Sequence, residues 1–280
     1  MTIQLQKMPA AWRSYKNLLF SSRKGVPQEG GLTKLAIALD DFLIDPDHLK
    51  EYKRICRFNS DQLPLTYLYC LAGPLQLALA AHPSFPLKSA GLLHIRNHIV
   101  QHSQFDINSP FTIKVQTASS RFRPQGLEFD MLTTFETNEQ IVWSCTSTFL
   151  KRGKFNREDS QCPNEDIFVK LENKDDNPKI DVPRNIGRQY AGLCKDYNPI
   201  HISVLLAKLF GFRRTIAHGM WVSAVALSAF EDRSLSTYDV AFKGPVFTGS
   251  TFSLVKAVNG SDFNIFANKN PKPVILAKVS

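Results

Sequence analysis

Two stretches of the chain are apolar on nearly every side of a helical wheel, Leu71 to Ala81 (LAGPLQLALAA) and Met220 to Phe230 (MWVSAVALSAF). A helix of that kind offers no face to water and must be enclosed by other elements. Each stretch is followed by runs in which apolar and polar residues alternate, the period of a strand with one buried face. After the first come LLHIRNHIV, then Phe111, Ile113 and Val115, then LEFDMLTTF and IVWSCTSTFL. After the second come Tyr238, Val240 and Phe242, then Phe252 and Leu254, then Phe263 and Ile265, then PVILAKV. The order of elements repeats at an offset of roughly 140–150 residues. The pattern predicts α+β architecture, two units that each wrap an antiparallel sheet around one helix. Pairing the two sheets edge to edge would cover edges that otherwise invite aggregation.

A polar stretch from Gly153 to Lys179 (GKFNREDSQCPNEDIFVKLENKDDNPK) separates the repeats and has loop composition. The expected organisation is therefore an N-terminal unit over 1–152, a linker over 153–180 and a C-terminal unit over 181–280. The longest greasy segment, Leu65 to Ala81, contains Gly73, Pro74 and Gln76. It falls short of the ~20 apolar residues of a membrane span, so it reads as a buried core helix. The N-terminal residues lack the apolar stretch of a secretory signal.

The net charge of +9 narrows the field only a little. Residues 1–150 hold 15 basic and 12 acidic side chains and residues 151–280 hold 19 and 13, with no block of five like charges. So diffuse an excess does not point to nucleic acid. It also suits a phosphorylated cofactor or an acidic carrier protein. The five cysteines, Cys56, Cys70, Cys145, Cys162 and Cys194, are odd in number, widely spaced and lack a C-x-x-C pair. Reduced thiols in a cytoplasmic protein are expected, rather than a disulfide scaffold or zinc ribbon.

The chemistry concentrates between Tyr190 and Met220 (YAGLCKDYNPIHISVLLAKLFGFRRTIAHGM). Asn198 followed by Pro199 marks a helix start, because Asn caps free N–H groups and Pro suits the first helical position. Ile202, Leu205, Leu206, Leu209 and Phe210 then recur at the spacing of one helix face, with Gly211 as the stop. Asp196 lies just before this helix and His201 in its first turn. That spacing can bring a carboxylate and an imidazole to one small site, an acid–base pair near neutral pH. Ile216-Ala217-His218-Gly219-Met220 leads into the second enclosed helix. Gly219 permits close approach of a ligand to the backbone. The N–H groups at that helix start could stabilise an enolate-like oxygen on a thioester carbonyl.

Y-A-x-x-x-x-D-x-N-P-I-H followed by G-F-x-x-x-I-A-H-G-M resembles the MaoC-like (R)-specific enoyl-CoA hydratase/dehydratase family. AFKGPVFTGSTF (Ala241 to Phe252) extends the resemblance over about 180–280, while the first half looks like the degenerate N-terminal repeat of double-hotdog members. That half has no second D-x-N-P-x-H and so should carry no second site of this kind. The resemblance implies a double-hotdog fold and reversible syn addition of water to a trans-2-enoyl thioester, giving an (R)-3-hydroxyacyl thioester. Asp196 and His201 would hold and activate the water, and the Gly219 N–H would donate to the thioester oxygen. Asn198 would support the loop, while His218 and Met220 would pack or shape the pocket. No metal or other cofactor is required, and the substrate would ride on CoA or an acyl-carrier protein. The chain would be a homodimer or a monomeric pseudo-dimer.

Cys194-Lys195 stands where family members commonly carry a small pair before the Asp. Cys194 reads as a tolerated replacement and Lys195 is expected to point to solvent. His94, His98 and His102 lie in a strand-like run, where four residues span roughly 13 Å, too far for one metal. Arg213 and Arg214 could meet cofactor phosphates or be solvated loop charges. The alternatives are a hotdog acyl-thioesterase and a non-catalytic acyl-thioester-binding subunit.

Overall fold

The computed structural model describes residues 1–20, 32, 34–88, 91–155, 159, 167–173, 177–267 and 270–280. Cys162 and part of the expected linker lie outside them. The chain divides into two units, Met1–Ile44 with Leu68–Pro163, and Asp45–Tyr67 with Asn164–Ser280.

The first unit contains strands β1 (Thr2–Leu5), β2 (Ala36–Phe42), β3 (Leu92–Gln101), β4 (Phe111–Arg123), β5 (Gly126–Thr137) and β6 (Gln140–Arg152). They are ordered β1-β2-β4-β5-β6-β3. Helices α1 (Ala11–Phe20) and α3 (Tyr67–Ala81) accompany them. All the alternating runs of the first half become strands, and LAGPLQLALAA falls within α3. Gln76, a polar residue buried on that helix, donates to Thr133 Oγ1 of β5 at 3.1 Å. The sheet departs from the expected all-antiparallel form at one edge, where β1 pairs with β2 in parallel. Thirty-three residues lie between Thr2 and its partner Ala36, enough chain for the crossover that a parallel pair requires.

The second unit begins with α2 (Pro46–Cys56), capped by Asp45, whose Oδ1 accepts the Asp47 N–H at 2.9 Å. It continues through β7 (Lys179–Val182), α4 (Ile186–Cys194), α5 (Pro199–Ile202), α6 (Val204–Leu209) and α7 (Gly219–Leu227). Strands β8 (Thr237–Phe242), β9 (Ser250–Lys256), β10 (Asp262–Ala267) and β11 (Ile275–Val279) complete it, in the order β8-β11-β10-β9-β7. Every residue of α7 from Met220 to Leu227 is buried, as its apolar circumference requires. Residues 228–230 of the predicted helix tighten into a 3₁₀ turn. Trp221 Nε1 donates to the Ile55 carbonyl at 3.1 Å, which fixes α7 against α2. Parts of the polar stretch are also built into this unit. Asn264 Oδ1 accepts the Leu171 N–H at 2.8 Å, its amide donates to the Val169 carbonyl, and β7 pairs with β9.

The predicted single helix carrying Ile202 to Phe210 is a correction. Ser203 takes an extended conformation and splits it into α5 and α6, its Oγ accepting the Leu206 N–H. Ser203 is itself an N-cap residue type, the one signal in the sequence for this break. The apolar stripe does not enter the core. Only Ala207 of α6 is buried, and Leu205 and Leu209 are 71% and 76% exposed. No helix among the described residues is long and apolar enough to cross a membrane.

Candidate active site

The site is built where α4 ends, α5 begins and α7 begins. Helix α4 stops at Lys195, which adopts a left-handed conformation (φ 57°) and sends its N–H to the Ala191 carbonyl. The Lys195 side chain does not reach away into solvent as expected, because its ammonium donates back to the Gly192 carbonyl of the same turn. The chain then turns through Asp196 and Asn198. Asp196 Oδ1 accepts the Asn198 N–H at 3.1 Å, and Asn198 Oδ1 accepts the Ile200 N–H at 3.4 Å. These two bonds start α5 and place His201 in its only full turn.

His201 is oriented by a backbone group with no signature in the sequence. Its Nδ1 lies 2.9 Å from the Ile216 carbonyl. A carbonyl only accepts, so Nδ1 carries the proton and the Nε2 lone pair is left for chemistry. Helix α4 presses against the same turn. A Cβ built on Gly187 would sit 2.0 Å from the His201 carbonyl oxygen, so only glycine allows the two helices to approach this closely.

His218 enters from the N-cap position of α7. Its ring stacks on that of His201, and the ring of Tyr190 lies 5.2 Å from it on a tilt. Its Nε2 donates to the Asp196 carbonyl at 3.0 Å and lies 3.7 Å from Asp196 Oδ2. Its Nδ1 is buried and has no hydrogen-bond partner among the described residues. One side-chain ligand atom each from Asp196, His201 and His218 lies within 4.8 Å of the other two. The structure thus gathers Asp196, Asn198, His201 and His218, and gives His218 a place inside the cluster that its motif position did not reveal. The Asp196 carboxylate is about half exposed, with 49% side-chain accessibility, so water reaches it.

Burial sets the charge state of the two imidazoles. Desolvation is the largest influence on His201 and lowers its pKa below 6.5, opposed by the Asp196 carboxylate and the bond to Ile216. Desolvation lowers that of His218 as well, and the neighbouring His201 lowers it further. Both rings are therefore neutral at pH 7. Nearly parallel rings aim their in-plane lone pairs side by side.

Gly219 is the first residue of α7, so its N–H has no intrahelical acceptor. A Cβ there would lie 2.8 Å from Cε1 of Phe242 in β8, which shows how closely that ring closes over the helix start. Met220, by contrast, is buried within α7. Ala217, just before, sends its N–H to the Val246 carbonyl at 2.8 Å, and Ile216 pairs with Phe247. AFKGPVFTGSTF thus braces the segment that carries His218 and Gly219. Among the described residues, the histidines of the first half form no comparable cluster. The His94 ring stacks with Tyr69 and Phe149 and bonds to Asn97.

Residues 171–271 match the family described as MaoC like domain. Over 248 residues the chain is 30% identical to 3-hydroxyacyl-thioester dehydratase X of Mycobacterium tuberculosis, covering 86% of this chain and 88% of that protein. The crystal structure of that protein superposes with a TM-score of 0.71 at 28% identity, covering 87% of this chain and 98% of that one. A MaoC-like dehydratase from Phytophthora capsici shares the fold, with a TM-score of 0.70 at 19% identity over 89% of this chain and 94% of that one. So does an M. tuberculosis protein described as having a double hotdog fold, with a TM-score of 0.54 at 10% identity over 91% and 97%. With the two sheet-and-helix units described above, these similarities give this chain the double-hotdog fold and make it a member of the MaoC-like dehydratase family.

Proposed function

We propose that this chain adds water reversibly to trans-2-enoyl thioesters, giving (R)-3-hydroxyacyl thioesters, with Asp196 and His201 as the catalytic pair. Membership of the family makes it a hydro-lyase of fatty-acid metabolism. The observation that carries the residue assignment is the His201–Ile216 bond, which leaves an unprotonated imidazole nitrogen in the same small cluster as a water-accessible carboxylate.

In hydration, a water held by the Asp196 carboxylate gives a proton to His201 Nε2 while its oxygen bonds to C3. The π electrons move toward the thioester carbonyl, and C2 then takes the proton. One O–H bond breaks, and one C–O and one C–H bond form on the same face. Dehydration reverses each movement. The Gly219 N–H donates to the carbonyl oxygen as its charge grows, a contribution of roughly 3–4 kcal/mol in sites of this kind. The balance of atoms and electrons calls for no redox group. The thioester is carried on CoA or an acyl-carrier protein. The four described cysteines are buried, and a reducing, cytoplasmic setting belongs to the same reading.

The test is loss of enoyl absorbance from crotonyl-CoA and longer enoyl-CoA substrates, with free thiol followed in parallel. Activity without thiol release is expected. Asp196→Asn and His201→Ala should each lower the rate by roughly 10²–10⁴-fold with melting temperature retained. Full activity in both variants refutes the pair, and stoichiometric thiol release replaces hydration with thioester hydrolysis.

A further inference from the structure

Between His201 and Ile216 the chain makes a closed excursion. It leaves the site at α5 and returns at Ile216, whose N–H donates to the Ile200 carbonyl at 3.1 Å and whose carbonyl accepts from His201 Nδ1 at 2.9 Å. The thirteen residues between, 203–215, contain three basic and no acidic side chains. Apart from buried Ala207 and half-buried Phe212, their apolar residues face outward. Val204 is 51% exposed, Leu205 71%, Leu209 76% and Phe210 53%. Lys208 and Arg213 are exposed among them. Arg213 lies over the Phe247 ring at 4.6 Å and joins Lys243 and Lys272 around a cleft of about 520 Å³, which extends the positive field. Tyr197, next to Asp196, is also exposed.

We propose that this excursion is the docking surface for a small acidic acyl-carrier protein that presents the thioester to the site. The proposal rests on the thioester reading above and names its carrier. Free CoA would leave Leu205, Leu209 and Phe210 facing water. Exposed apolar side chains interspersed with exposed basic residues fit a macromolecule with an apolar ridge and the opposite charge. Both footings of the surface bond to the catalytic histidine's turn, so a carrier seated there delivers its arm beside the reacting pair. A bilayer would satisfy the same charge and grease but holds acyl chains without presenting a thioester.

The test uses the full chain and a small acidic acyl-carrier protein, unloaded and loaded with crotonyl-phosphopantetheine. Binding of the unloaded carrier is read by fluorescence anisotropy, and kcat/KM is compared on crotonyl-carrier and crotonyl-CoA. Binding that weakens with salt is expected. Leu209→Ser and Lys208→Glu should each raise KM for crotonyl-carrier tenfold or more while changing kcat/KM on crotonyl-CoA less than twofold. Carrier that does not bind, or variants that affect both substrates equally, overturn the proposal. So does loss of binding to phosphatidylglycerol vesicles, or of self-association, with carrier binding intact. Wild-type protein that binds carrier yet converts neither substrate refutes the hydratase reading and leaves the docking surface standing.

Discussion

The imidazoles of His201 and His218 lie face to face, ring centroids 3.7 Å apart and planes 25° from parallel. The first is held by the Ile216 carbonyl and the second by the Asp196 carbonyl. His218 therefore positions both members of the proposed catalytic pair, one through its ring face and one through its N–H.

Removing that link should cost rate more than affinity. His218→Ala is expected to lower kcat on an enoyl thioester roughly 10–100-fold, the scale of a misplaced catalytic group, with KM little changed. His218→Gln retains a donor at the same reach and should recover part of the loss. Steady-state kinetics of both variants decide it. Equal activity in His218→Ala and wild type would remove His218 from the machinery.

Burial of neutral imidazoles couples protonation to folding. The pKa values of His201 and His218 lie below 6.5 in the folded protein, and that of His48 is lowered in the same direction by burial. An unfolded chain takes up these protons as pH falls below 6.5, whereas the folded chain does not until lower pH. The stability is thus complete above pH 6.5 and is lost as pH falls toward the folded values. Melting temperature should decline between pH 7 and 5, and less steeply in His218→Gln. A flat profile in the wild type would contradict the neutral assignment.

Gly219→Ala places a methyl carbon 2.8–2.9 Å from the Phe242 ring. The ring or the start of α7 must shift, and with it the N–H proposed to donate to the thioester oxygen. A fall in kcat of roughly 10–100-fold is expected, below the ~10²–10³ for outright loss of such a donor. Phe242→Leu in the same chain should restore part of it by relieving the contact. If kcat in Gly219→Ala matches wild type, the donor lies elsewhere.

Gly187→Ala meets backbone, not a side chain that can turn aside. Its Cβ would fall 2.0 Å from the His201 carbonyl oxygen. Destabilisation of about 3 kcal/mol is expected, the upper end for overpacking, with activity lost in parallel as α5 is displaced. Urea midpoints measure the first and initial rates the second. A variant as stable as wild type would mean that α4 and α5 are free to separate.

Local pattern carries most of the fold and part of the site. The enclosed helices α3 and α7 and the strands after them follow from periodicity, because an apolar circumference and a period of two each admit few placements. The Asn198–Pro199 start and the position of His201 in its first turn follow from short-range capping chemistry. What the sequence could not convey involves groups distant along the chain, or groups without a side chain. The Ile216 carbonyl that sets the His201 tautomer is a backbone atom fifteen residues away, and any residue type would supply it. The stacking of His218 depends on where α7 meets α5. The direction of the α6 stripe was also undetermined. Helical spacing shows that Leu205, Leu206 and Leu209 share a face, but only packing decides whether that face meets the core or water. Here Ser203 breaks the helix and turns the stripe outward.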